Sequence, residues 1–104
     1  MFTLLRSLAF KTWIAELRDV RARSRIAYRI LAAERGNFGD CRPVGEGISE
    51  MRVDVGPGYR VYYVQRGKLI YLLLIGGDKK SQKRDIALAK RMLKELKSDD
   101  KAGF

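Results

Sequence analysis

The spacing of apolar residues divides the chain into helical and strand segments. From Ser7 to Arg18, Phe10, Trp13, Ile14 and Leu17 fall on one face of a helix, with Ser7 placed to cap its start. Asp19 caps a second predicted helix running through "ARSRIAYRILAAERG". Ile26, Ile30 and Ala33 form its apolar stripe, and Arg21, Arg25 and Arg29 form a stripe that reads as a solvated face. Gly36 and Asn37 supply the stop signal, so a helical hairpin is expected. Residues 2–5, "FTLL", allow a short strand ahead of it.

The segment "NFGDCRPVGEG" reads as loop, after which the period changes from helical to alternating. In "ISEMRVDV" the apolar positions are Ile48, Met51, Val53 and Val55, a pattern that slips at Glu50 and leaves Arg52 and Asp54 on an open face. "GPG" is a turn. In "YRVYYVQR", Arg60, Tyr62 and Val64 share one face and Tyr59, Val61, Tyr63 and Gln65 the other. Gly67 turns the chain into "KLIYLLLI", a central strand that Gly76 and Gly77 are expected to end. A last helix should begin near residues 78–81 and run to about Lys97, burying Ile86, Ala89, Leu93 and Leu96, with residues 98–104 a frayed tail. The expected architecture is one α+β domain over residues 1–104. Its hairpin and C-terminal helix pack on one face of a twisted, mainly antiparallel sheet of three to four strands, and Arg52, Arg60 and Tyr62 stand on the other face.

Charge adds a partner class to this picture. The 104 residues carry 22 Lys+Arg against 12 Asp+Glu, a net charge of +10, which suits a polyanion or an acidic partner. A single cysteine, Cys41, rules out an internal disulfide, and the absence of histidine removes a Ser-His-Asp triad and a His-metal site. Neither a metal nor another cofactor is expected. The apolar runs of "MFTLLRSLAFKTWI" are short for a signal peptide core or a membrane span, and a cytoplasmic protein is expected.

Across the Gly56–Gly58 turn, Arg52 and Arg60 can stand side by side. Two adjacent guanidinium groups make a natural phosphate clamp; the alternative is a surface salt bridge from Arg52 to Glu50 or Asp54. "GGDKKSQ" follows where the central strand empties into a helix start. Its glycines allow close backbone approach, and Lys79, Lys80, Ser81 and Gln82 lie where an anion is favoured. Lysines there oppose the helix dipole unless an anion compensates them.

"GNFGD", "EGISEMRVDVGPGYRVYY" and "LLLIGGDKKSQKRDIALAKRM", with the opening "FKTWIAELRDVRARSRIAYRI", resemble the HigB-like addiction-module killer proteins of the RelE/ParE toxin superfamily. The resemblance spans roughly residues 8–97. It implies the toxin of a type II toxin–antitoxin pair, restrained by a small helix-turn-helix antitoxin of the HigA type. RelE-type relatives cut mRNA on the ribosome, whereas the ParE branch poisons DNA gyrase; a nucleic-acid-binding protein without catalysis is a third alternative. By this resemblance Arg60 matches the arginine of the "YR" strand at the phosphate, Arg52 a basic residue of the preceding strand, and Lys79 the basic residue after the last strand's glycine. These three form the catalytic set, and Tyr62, Lys80 and Gln82 are assigned to substrate binding. Several RNA-cutting relatives carry a tyrosine or histidine on the last helix as acid or base. Here Gln82 and Asp85 occupy that region, leaving Asp85, Lys79 or Lys80 as proton carriers.

Overall fold

Both predicted helix caps form. The computed structural model describes residues 1–99. Ser7 Oγ accepts the Phe10 amide at 2.9 Å to open α1 (Leu8–Glu16), and also donates to the Leu74 carbonyl at 2.6 Å, which pins the helix to the sheet. Asp19 Oδ1 accepts the Ala22 amide at 3.0 Å to open α2 (Val20–Glu34). Gly36, at φ +98°, takes the left-handed turn that ends α2 and donates to the Ala33 carbonyl at 2.9 Å.

The sheet has five strands rather than three or four: β1 (Thr3–Arg6), β2 (Cys41–Gly45), β3 (Ile48–Val53), β4 (Tyr59–Gln65) and β5 (Ile70–Asp78), in the order β1-β5-β4-β3-β2. β1 runs parallel to β5 and the remaining pairs are antiparallel, so the fold is α+β on a mixed sheet. β2 lies inside the segment read as loop. It pairs only with β3, and an edge strand tolerates Pro43 and Gly45, the residues that hid it.

β5 continues through Gly76 and Gly77 instead of ending there. A side chain at Gly76 would overlap the Trp13 ring, and one at Gly77 would overlap the Asp85 carboxylate and Ser81. The glycines mark close approach by two helices, not a stop.

The expectation of one covered face is also corrected. α1 and α2 cover one face, where Phe10, Ala22, Ile26, Ile30 and Ala33 pack with Met51, Val53, Tyr59, Val61, Tyr63 and Leu73. The third helix, α3 (Gln82–Asp99), lies on the opposite face, where Ala89 and Leu93 pack with Ile48, Tyr62, Val64, Leu74 and Ile75. Tyr62 is therefore buried, not open, because α3 turns back over the strand that carries it. Arg52 and Arg60, one step further along the same face, remain partly exposed. Of the predicted frayed tail, residues 98–99 continue α3, and residues 100–104 lie outside the described residues. No described helix is long and apolar enough to cross a membrane.

Gly77→Ala should lower stability by about 1–3 kcal/mol, because the added methyl must push Asp85 and the first turn of α3 off the sheet. Urea denaturation reads this as a lower midpoint; an unchanged midpoint would contradict the seating described.

Candidate functional site

Alternation on β3 puts Ile48, Glu50 and Arg52 on one face, and on β4 it puts Arg60, Tyr62 and Val64 on the same face. The register pairs Arg52 directly with Arg60, and Glu50 with Tyr62. Like charges directly opposite one another are unfavourable unless something neutralises them. Arg52 is met by Asp40, with Nη2 donating to Oδ1 at 3.0 Å, and its carbonyl is held by Arg29. That bond and those from Arg29 to the carbonyls of Phe38 and Asp40 show that the Arg29 end of the predicted solvated stripe fixes a loop instead. Arg60 is met by Glu50, its Nε standing 3.4 Å from Oε2.

That contact is electrostatic rather than a well-aligned hydrogen bond. The Nε groups of Arg52 and Arg60 are both buried without an acceptor among the described residues. Both side chains line a cavity of about 420 Å³ together with Lys79, from the turn between β5 and α3. Three segments thus bring the three predicted catalytic cations to one hollow. Asp40 and Asp54 line it as well, so it is a mixed-charge site, with cations in excess by one. Asp40 is exposed and Arg52 partly so, and a solvent-screened pair of this kind is weak enough for an anion to compete with the carboxylate.

The residue that organises the site is Glu50, which sequence reasoning passed over as a slip in the pattern. It is fully buried. Oε1 accepts from Arg42 Nε at 3.1 Å; Oε2 accepts from Gln82 Nε2 at 2.7 Å and from the Tyr62 hydroxyl at 3.2 Å, and lies beside Arg60 Nε. Three hydrogen-bond donors and one ion-paired arginine, drawn from β2, β4 and α3, converge on one carboxylate. The available signal was period-two alternation: Glu50 shares a face with Arg52, Arg60 and Tyr62, and a buried carboxylate needs such partners.

The residues assigned to substrate binding separate. Tyr62 and Gln82 both bind Glu50 inside the protein, so they hold the site rather than face a ligand. Burial first, then the neighbouring Glu50 charge, hold the Tyr62 hydroxyl far above its ordinary pKa, which makes it a permanent donor at neutral pH. Lys80 does not line the hollow of the three cations; it lines a second cavity of about 630 Å³ with Trp13, Tyr59 and Asp85. Tyr59 lines both cavities. Among the described residues no group of three or more acidic or cysteine side chains stands together as a metal site.

No protein-family model matches the chain. It is 43% identical over 90 residues to a Haemophilus influenzae protein described only as uncharacterized, an alignment covering 86% of this chain and 91% of that protein. The chain belongs to that protein's family. The relative's description names no activity for the family, so function is argued from the geometry.

Glu50→Gln should destabilise the protein by about 3–5 kcal/mol, since Arg42 and Arg60 lose the carboxylate that offsets their charge. Denaturant unfolding measures this, and a loss below about 1 kcal/mol would show that Glu50 does not organise the site. Burial, the largest cause, also raises the pKa of Tyr59, Tyr62 and Tyr63 above the ordinary 10.0. Their contribution to stability is complete below pH 10 and is lost as pH rises through the folded-state values. Tyrosinate absorbance should accordingly stay incomplete above pH 10 and jump on alkaline unfolding. Full ionisation of the folded protein near pH 10 would contradict their burial.

Proposed function

We propose that this chain is the toxin of a type II toxin–antitoxin module and cleaves mRNA on the ribosome without a metal. The observation that carries the reading is that Arg52, Arg60 and Lys79, from three separate segments, line one cavity. The RNA supplies the nucleophile. Its 2′-oxygen attacks the adjacent phosphorus, the bond from phosphorus to the 5′-oxygen breaks, and a cyclic phosphate and a 5′-hydroxyl result. The three cations surround the charge that builds on the phosphoryl oxygens, and each preorganised group of this kind contributes about 2–4 kcal/mol. Asp54, exposed in the same cavity and in no ion pair among the described residues, takes the 2′-hydroxyl proton; Lys79 protonates the leaving oxygen. The RelE/ParE-like arrangement suggested by the sequence belongs to this proposal, as does an antitoxin of the helix-turn-helix type whose acidic surface covers the cationic cavity.

A second reading, a gyrase poison, is favoured by a different surface. Tyr28 and Leu31 are exposed on α2 beside Arg21 and Arg25, a mixed apolar and basic face suited to a protein contact. It predicts purified gyrase trapped on cleaved DNA. Binding without catalysis predicts salt-sensitive RNA binding and no products.

Incubation with translating ribosomes, followed by mapping of 5′ ends by primer extension, tests the nuclease. Wild type should cut. Arg60→Ala, confirmed folded by circular dichroism, should be slower by roughly 30- to 1000-fold, and Asp54→Asn should also be slower. Intact mRNA with wild type rejects the nuclease, and an unchanged rate for Arg60→Ala rejects the site.

A further inference from the structure

The second cavity has a different chemistry from the first. Its aromatic side chains are Trp13 and Tyr59, whose rings meet edge to face with centroids 6.4 Å apart, and Gly76 leaves the strand bare beneath Trp13. Asp85 also lines it, although the residue is only 6% exposed. Ser81 Oγ donates to Asp85 Oδ2; among the described residues no other donor reaches the carboxylate and no cation pairs with it. The Asp85 carboxylate has one neutral donor, which leaves acceptor capacity facing the cavity for a ligand. Lys80 and Arg84, both exposed, line the same cavity and enter no ion pair among the described residues.

These features select a ligand with three properties. It is planar, to lie against an indole; it presents N–H donors to a carboxylate; and it carries negative charge for Lys80 and Arg84. Asp78 lines the cavity too, so two carboxylates face two cations, and a ligand carrying only one sign of charge meets both attraction and repulsion there. A nucleotide meets all three conditions. Among the bases, only guanine presents two adjacent N–H donors, N1–H and the 2-amino group, to pair with a carboxylate. Adenine and cytosine set an acceptor nitrogen beside their amino group, and uracil flanks its N–H with two carbonyl oxygens.

We propose that this cavity binds a guanine base of the nucleic acid whose phosphate sits among Arg52, Arg60 and Lys79, so that Asp85 and Trp13 set base specificity. The inference rests on the nucleic-acid reading above. Tyr59 lines both cavities, so they adjoin, and a base and its phosphate on a single strand can occupy them together.

Trp13 is the chain's one tryptophan, so its fluorescence reports on this cavity directly. The full chain is titrated with uncleavable 2′-deoxy dinucleotides of guanine, hypoxanthine, adenine, cytosine and thymine at one fixed salt concentration. The guanine dinucleotide should change Trp13 emission saturably and bind about tenfold to hundredfold more tightly than those of adenine, cytosine and thymine. Hypoxanthine, which lacks the 2-amino group, should fall between. Asp85→Asn should abolish the preference; should that variant not fold, the wild-type series decides alone. Equal binding of all five, or no response of Trp13 to guanine, overturns the proposal. Loss of guanine preference with ribosome-dependent cleavage intact rejects the base site alone. Guanine preference without cleavage supports the base site and rejects only the nuclease.

Discussion

A carboxylate sealed beneath a helix is the constraint on which the site depends. Glu50 cannot be buried as a charge unless donors surround it, and those donors come from β2, β4 and α3. Each of those elements is therefore fixed relative to β3. Gln82 seats the first turn of α3, Tyr62 ties the middle of the sheet, and Arg42 ties the edge strand. Arg60 is the member of this group that also reaches a solvent-facing cavity. A buried ion pair is weak evidence for stability, because desolvation consumes much of its attraction. Its consequence here is orientation: it positions an arginine whose Nε has no aligned acceptor beside a second arginine in the same condition.

The same helix start builds the second cavity. Gly76 and Gly77 remove side chains where Trp13 and Asp85 come down onto β5, and the chain then turns through Lys79 and Lys80 into α3. One lysine lines each cavity, and Tyr59 lines both. One hollow holds three cations with two aspartates, the other sets two cations and two aspartates beside an indole, and in the proposed reading they take the phosphate and the base of one nucleic-acid strand.

How much of this could be read from the sequence followed from what each signal measures. Local chemistry placed the caps at Ser7 and Asp19, the end of α2 at Gly36, and the apolar stripes of α2 and α3. Alternation placed Arg60, Tyr62 and Val64 on one face correctly. What covers a face is a long-range fact, and it was misjudged. α3 lies opposite the hairpin, so Tyr62 and Gln82 became internal partners of Glu50, and the open face shrank to its Arg52–Arg60 end. Edge pairing of β2 was masked by Pro43, and the glycines of β5 read as a stop because the indole and carboxylate pressed against them come from distant segments. Convergence of Arg52, Arg60 and Lys79 was legible, since a turn and a strand end fixed it; the aspartates sharing their cavity were not.

The central claim is that Glu50 holds Arg60 beside Arg52 as a receptor for a phosphodiester. The most direct measurement is a titration followed by NMR of the arginine side-chain Nε–Hε resonances, using a 2′-deoxy oligonucleotide that cannot be cut. The account predicts that the resonances of Arg52 and Arg60 move together and saturate at one ligand concentration, while that of solvent-exposed Arg23 stays close to its starting position. Shifts confined to the arginines of α2, with Arg52 and Arg60 unmoved, would contradict it.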